Sequence, residues 1–382
     1  MRILFAARAI DKMAGGVERM IITIMNSLVT RGHHVGLFTW DPTEATAFYP
    51  MAPKIAWHRL SLGDPGKKAN TLLILRRISA IRSIVRQEKP QAVVCFQDGP
   101  FLSLRLYGLG LGIPFVAAER NAPTRFEHTK AGNWQRLVFQ SFRLAHLVII
   151  QCESYRKLYP EFLRGRIVTI SNPVLSTSLH ARPNEPAPNG RHTLLSVGRL
   201  SFQKNYDVLI AAFAQLAGAF PDWDLSIVGD GEDREKLGGL VAEYGLSERV
   251  ALSGKRETIE ESYATANCFV LPSRWEGFPN ALAEAMAHGL PSVGFADCAG
   301  VRDLIIPGHC GLLAEGNGDA LNLARTLAVL LSKPDLRKTM GQAAKARVNE
   351  FAIDRIIDRW EQVLGEIAPV TGDACEVTGA AW

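Results

Sequence analysis

The six cysteines, Cys95, Cys152, Cys268, Cys298, Cys310 and Cys375, are scattered over 382 residues with no CxxC and no Cys/His ligand spacing. That pattern excludes a disulfide framework and a structural zinc site, and it places the expected compartment in the reducing cytoplasm. Long apolar runs are missing too: no stretch approaches the ~18 uncharged residues of a membrane-spanning helix, so any membrane contact is expected to be peripheral. The apolar start Ile3-Leu4-Phe5-Ala6-Ala7 is broken by Arg8 and ended by Asp11-Lys12. With no small-residue cleavage site behind a full apolar region, it reads as a buried strand rather than a signal peptide.

What is present is a soluble globular composition, 47% hydrophobic and 21% charged, long enough for two domains of ordinary size. The net charge of +5 conceals a division. Residues 1–175 carry 24 Lys and Arg against 11 Asp and Glu, or +13, while residues 176–382 carry 19 against 27, or −8. A basic half of this kind is either a solvated face or the mark of an anionic partner: nucleic acid, acidic lipid headgroups or a phosphorylated acceptor.

Short apolar, β-branched runs alternate with amphipathic segments, the pattern of βαβ units and a parallel sheet. Strands are expected at Arg2–Ala7, Val35–Thr39, Ala92–Phe96, Phe115–Ala118, Leu147–Gln151 and Ile167–Ile170. The segment Pro173–Arg191, with Pro183, Pro186 and Pro188, then suits an extended connector. The pattern restarts at Thr193–Val197, Asp224–Val228, Val250–Leu252, Cys268–Leu271 and Ser292–Phe295. The expected architecture is therefore α/β, with one doubly wound domain over 1–175 and a second over 190–350. The helical stripe Ile353, Ile356, Ile357, Trp360, Val363 and Leu364 needs a surface to cover, and the polar tail Thr371–Trp382 is expected to be mobile.

Three clusters carry the chemistry. The run from Ser273 to Gly289 follows a strand, places Pro279 where a first helical turn tolerates it, and continues through good helix formers. Its helix start, near Phe278, Pro279, Asn280, Ala281 and Leu282, leaves backbone N–H groups for an anion at the carboxyl edge of the sheet. Glu276 and Glu284 flank that position at different depths, and each is otherwise an ordinary loop or helix-face acid. The second cluster, Ser196 to Asn205, holds Arg199 and Lys204 before a helix, where two cations suit a diphosphate whose charge grows as it leaves. Gly15-Gly16-Val17-Glu18, between the first strand and a helix Arg19–Leu28, permits a close backbone approach to a phosphate or marks a tight turn.

Gly15-Gly16, Gly198-Arg199 with Lys204, Gly229-Asp230-Gly231, Ser253-Gly254 and Glu276 with Glu284 stand in an order and spacing that resembles glycosyltransferase family 4, retaining enzymes of the GT-B fold. The resemblance covers nearly the whole chain. It implies two Rossmann-like domains across a cleft, with the C-terminal helix, 352–368, crossing back to the first. It also implies a nucleotide-diphosphate sugar donor, UDP preferred, with no metal or other cofactor. Arg199 and Lys204 would hold the diphosphate, Gly16 would meet it from the opposite domain, Glu276 would contact the sugar, and Glu284 the ribose. Gly15, Gly198, Gly229, Lys255 and the backbone of Phe278–Leu282 complete the implied donor site. Where relatives place a histidine after the strand Phe115–Ala118, this chain reads Glu119-Arg120-Asn121, similar to members that extend polyprenyl-diphosphate-linked glycans. These residues, and Asp98, are the expected acceptor contacts.

No carboxylate is placed for a covalent nucleophile, so same-face attack through an oxocarbenium-like ion pair is the expected route. The segment Thr71–Gln87 has an apolar side of Leu72, Leu73, Leu75, Ile78, Ile81 and Ile84 with Arg76, Arg77, Arg82 and Arg86 beside it. It fits a helix meeting an anionic membrane surface on the cytoplasmic face, or a domain helix whose arginines face water. The alternatives are a GT-B nucleotide-sugar epimerase and a nucleic-acid-binding protein; no RNA-binding motif accompanies the basic half, so no nucleic-acid partner is expected.

Overall fold

The computed structural model describes residues 1–13, 15–63, 69–96 and 98–368, without the side chains of Asp98 and Ala131. The tail Thr371–Trp382 lies outside the described residues. Two parallel sheets organise the chain, as the alternation of apolar runs predicts. The first contains β1 (Arg2–Ala6), β2 (His34–Thr39), β3 (Ala56–Arg59), β4 (Ala92–Phe96), β5 (Phe115–Ala118), β6 (Leu147–Ile150) and β7 (Ile167–Thr169), in the order β3-β2-β1-β4-β5-β6-β7. The second contains β8 (His192–Val197), β9 (Trp223–Val228), β10 (Val250–Gly254), β11 (Cys268–Leu271), β12 (Ser292–Phe295) and β13 (Gly311–Ala314), in the order β10-β9-β8-β11-β12-β13.

The central strands bury both faces, as helix-covered parallel strands must, which is why they read as unbroken apolar runs. Every residue of β4 and β11 is buried. The edge strand β3 is half-buried along its length, and the sequence pattern missed it for that reason; it also missed β13.

By contact density the chain divides into two compact units. One comprises residues 1–118, 140–148 and the chain from Ile357 onward; the other comprises Glu119–Phe139 and Ile149–Ile356. In the first unit, α1 (Gly16–Thr30) buries Met20, Ile21, Ile24, Met25 and Leu28 on one face at helical spacing, and Ile22 beside it. It begins earlier than expected, so Gly16 is its first residue and Gly15 its N-cap. The helix α2 (Thr71–Glu88) is capped by Asn70, whose Oδ1 accepts from the Leu73 N–H at 2.8 Å. Its arginines do not share one solvated side: Arg77 is buried and donates from Nε (3.0 Å) and Nη2 (2.8 Å) to the Leu62 carbonyl. Of the apolar side, Ile81 is buried whereas Leu72 and Leu75 are more than half exposed.

The helix Ile353–Ile367 returns to this unit. Trp360, fully buried, packs against Phe5 and Phe96 at centroid separations of 6.3 and 6.4 Å. At its rim Glu361 takes Arg31 Nη1 at 2.7 Å and His33 Nε2 at 2.6 Å, and Asp358 pairs with the same arginine. Burial raises the Glu361 carboxyl pKa, but the hydrogen bonds from His33 and Arg31 and their charge more than offset it. The carboxyl therefore lies below its ordinary range.

In the second unit the connector 173–191 is pinned down. Asn267 Nδ2 donates to the carbonyls of Arg182 (3.3 Å) and Glu185 (2.8 Å), Arg337 Nε donates to that of Pro183 (3.1 Å), and Val174 bridges to Ala352. Its prolines reflect a fixed extended path.

Trp360→Ala is expected to cost about 3–5 kcal/mol in urea denaturation, the loss of a filled aromatic site. Glu361→Gln is expected to cost roughly 1 kcal/mol at neutral pH. A carboxyl held below its ordinary pKa stabilises the fold above that pKa and loses the contribution as it takes up its proton. The difference between Glu361→Gln and wild type should therefore shrink as the pH falls below 4.5.

Candidate active site

The loops after β8, β9 and β10 touch backbone to backbone, and glycine makes this possible. A Cβ on Gly229, whose φ is +145°, would lie 1.9 Å from the Gly198 carbonyl oxygen, and one on Gly231 2.3 Å from that of Leu200. The contact is hydrogen-bonded: Gly198 N–H to the Val228 carbonyl (3.0 Å), Leu200 N–H to that of Asp230 (3.0 Å), and Gly229 N–H to that of Gly254 (2.9 Å). Gly198 also lies under the Lys204 stem, where a Cβ would approach Cε to 2.9 Å. The Gly-Asp-Gly element thus fixes the path of the loop that carries Arg199 and Lys204.

At the end of that loop Lys204 Nζ lies 2.6 Å from Glu276 Oε1, and the Ser273 hydroxyl donates to the same oxygen at 2.5 Å. Both charged side chains are largely withdrawn from water, at 15% and 7% exposure, so each depends on the other for compensation. Asn205, in the left-handed region at φ +60°, then turns the chain into the helix Tyr206–Leu216. Arg199 is not part of this pair. It is exposed and bound to Glu232, with Nη2 to Oε2 at 2.9 Å.

The acidic loop is held on several sides. The Tyr155 hydroxyl donates to the Glu276 carbonyl, Gln203 Nε2 donates to that of Trp275 at 2.9 Å, and the Trp275 ring stacks on His128 at 4.9 Å. Gly277 presses on the segment after β5, where a Cβ would meet the Arg120 carbonyl oxygen at 2.2 Å. The helix Asn280–Ala287 begins just beyond, with Ala283 N–H bonded to the Pro279 carbonyl at 3.0 Å. Four residues into the helix, Glu284 accepts from the Tyr263 hydroxyl at 2.9 Å. Phe278, Pro279 and Leu282 are buried, Ala281 is partly so, and Lys255 stands exposed after β10.

Glu119-Arg120-Asn121 lies in the same unit. Glu119 Oε1 accepts from the backbone N–H groups of Arg120 and Asn121, each at 2.9 Å. Arg120 Nη1 (3.4 Å) and Gln151 Nε2 (2.8 Å) both donate to Asn172 Oδ1, and Asn172 Nδ2 donates to Asn280 Oδ1 at 3.0 Å. A relay of amides therefore joins this segment to the start of the helix Asn280–Ala287. Burial pushes the Arg120 guanidinium down to about 9 despite the charge of Glu119. Gly15 and Gly16 belong to the other unit, and the Asp98 side chain lies outside the described residues.

Sequence reasoning missed Tyr155, Gln151, Asn172 and Tyr263. Gln151, a polar residue closing an apolar strand, is the one that carried a visible signal. Among the described residues no group of three or more His, Cys, Asp or Glu is arranged to hold a metal ion.

The model of the glycosyl transferases group 1 family matches residues 179–347, and that of Glycosyltransferase Family 4 matches residues 14–175. An uncharacterized glycosyltransferase of Haemophilus influenzae is 27% identical over 357 residues, 92% of this chain and 96% of that one. The GalNAc-alpha-(1->4)-GalNAc-alpha-(1->3)-diNAcBac-PP-undecaprenol alpha-1,4-N-acetyl-D-galactosaminyltransferase of Campylobacter jejuni is 24% identical over 370 residues, 96% and 99% of the two chains. Anabaena HepE, solved in complex with UDP and glucose, superposes with a TM-score of 0.75 at 19% identity, over 96% and 99%. The fold is that of the GT-B glycosyltransferases, two parallel α/β sheets with the last helix returned to the first. The chain belongs to glycosyltransferase family 4.

Lys204→Met strands the Glu276 carboxylate away from water and is expected to cost about 3 kcal/mol in urea denaturation. Adding Glu276→Gln should recover most of that loss, because the pair is then replaced and not broken.

Proposed function

We propose that this glycosyltransferase transfers a sugar, with retention and without a metal, from a UDP-sugar to a polyprenyl-diphosphate-linked or other lipid-linked saccharide in bacterial glycan biosynthesis. The observation that carries the reading is the Lys204–Glu276 pair, buried with Ser273 beside a helix start. A cation and an acid fixed side by side suit the two halves of a sugar diphosphate. In this reading residues 190–350 bind the donor and residues 1–175 the acceptor.

Lys204, Arg199 and the N–H groups of Ala281 and Leu282 take the diphosphate. Arg199 leaves Glu232 to do so, which an exposed ion pair permits at little cost. Glu276 accepts hydroxyls of the transferred sugar, and Glu284, oriented by Tyr263, accepts those of the ribose. The bond from the anomeric carbon to the diphosphate breaks, and the acceptor oxygen bonds to that carbon on the same face. The departing phosphate oxygen takes the acceptor's proton. Catalysis then rests on position and on charge stabilisation of the leaving group. The UDP bound to HepE and the lipid-linked acceptor in the name of the Campylobacter jejuni enzyme support these choices.

The acceptor's lipid suggests work at the cytoplasmic membrane face. Leu72 and Leu75 of α2, Leu102 and Leu106 of α3 (Asp98–Tyr107), and Leu109 beyond it are exposed in the basic unit, with Arg76 and Arg86 on the same α2. Exposed leucines flanked by arginine suit an anionic bilayer surface.

Purified protein in EDTA should gain thermal stability from UDP or a UDP-sugar; no gain from any UDP or GDP conjugate would overturn the donor assignment. The variant Lys204→Met/Glu276→Gln, once shown to be folded, should turn over at least about 100-fold more slowly. Leu72→Asp/Leu75→Asp should lose sedimentation with phosphatidylglycerol vesicles while keeping the thermal response to UDP.

A further inference from the structure

The amides that join the segment after β5 to the helix Asn280–Ala287 have a direction, and Arg120 sets it. A guanidinium donates hydrogen bonds and accepts none. Burial pushes this one down to about 9, which leaves it protonated at neutral pH. The atom of Asn172 that faces Arg120 Nη1 at 3.4 Å is therefore the oxygen, since which end of an amide is which follows from its partners. Gln151 has to present Nε2 to the same oxygen, at 2.8 Å. Its own Oε1 is left buried without a hydrogen-bond partner, so close to Gly277 that a Cβ there would lie 2.8 Å away. An unpaired buried oxygen is costly, and Gln151 bears that cost because the Asn172 oxygen admits only donors. With Oδ1 committed, Asn172 Nδ2 faces Asn280 at 3.0 Å, and Asn280 answers with Oδ1. Arg120, Gln151 and Asn172 are each at most 4% exposed, so water offers none of them another arrangement.

The direction ends on Asn280 Nδ2. Among the described residues this group meets no acceptor, and it is not sealed from solvent. Asn280 is the first residue of its helix, at the positive end of the aligned peptides. Its backbone N–H is withdrawn from any ligand, because it closes a tight turn about Pro279 onto the Phe278 carbonyl at 2.8 Å. The side chain returns to the helix start a donor that the backbone has spent.

We infer that Asn280 Nδ2 donates to an oxygen of the donor's diphosphate, and that Asn172 and Arg120 are positioning residues that hold the Asn280 amide with its nitrogen toward this anion, an inference that rests on the donor reading above. Reversed, the same amide would set an oxygen against the phosphate, so its orientation decides between attraction and repulsion.

Asn172→Asp tests the direction. Its carboxylate still accepts from Arg120 and Gln151 but cannot donate, so Asn280 turns Nδ2 inward and Oδ1 outward. UDP and GDP are titrated calorimetrically into the full chain, and melting is followed without ligand. For the diphosphate that binds wild type, Asn172→Asp should weaken affinity about tenfold or more while melting close to wild type, and Asn280→Ala should weaken it by a similar factor. In the Asn280→Ala background, Asn172→Asp should change affinity by less than about threefold, because it acts only through that amide. Arg120→Lys, still a cation that only donates, should stay within about threefold of wild type, and a tenfold loss there would remove the direction as the cause. Losses that add in the double variant would mark Asn172 as merely structural and overturn the inference. Wild-type affinity in Asn172→Asp or in Asn280→Ala would overturn it as well, and Asn280→Ala decides the matter if Asn172→Asp does not fold. A wild type that binds neither diphosphate sinks the donor reading and this inference with it.

Discussion

A lysine and a glutamate, 72 residues apart in the chain, share one buried contact, and the surrounding loops are built to keep it in place. Taking both charges out of water costs several kcal/mol each, and only close geometry with further hydrogen bonds offsets that cost. Ser273 supplies one such bond, and Tyr155, Gln203 and Trp275 fix the backbone on either side. The lysine loop is fixed in turn by glycine: without side chains at 229 and 231, two loops approach to a distance no other residue permits. Local rigidity here follows from steric exclusion as much as from attraction.

The same unit shows why a polar interior need not be a weak one. Arg120, Gln151, Asn172 and Asn280 form a chain of donors and acceptors from the segment after β5 to the start of a helix. Such a chain transmits position: moving Asn280 disturbs Asn172 and thereby Arg120. The geometry of the segment after β5 and that of the helix start are therefore physically coupled, and a substitution at either end should be judged by its effect on both.

Much of this was legible in the sequence. The strands that bury both faces read directly as apolar runs, and the stripe through Trp360 gave the last helix and the need for a covering surface. Residues whose state is set by distant partners did not read. Arg77 lies among arginines that face water, yet it is buried because the Leu62 carbonyl needs a donor there. Glu276 looks like an exposed loop acid until Lys204 is beside it. Arg199, one residue after a glycine that matters, looked equivalent to Lys204, and only the pairing with Glu232 separates them. β3 was missed because a half-buried edge strand has neither an apolar run nor clean alternation.

The return of the last helix bears on how the chain is made. Phe5 and Phe96 leave the ribosome long before Trp360, the ring that packs against both. Until Trp360 is made, the first sheet must hold an uncovered aromatic surface, and all strands of the second sheet are synthesised in that interval. Nascent chains of this design should depend on chaperones that shield exposed apolar surface, and premature termination shortly before Trp360 should yield an aggregation-prone product, not a smaller working enzyme.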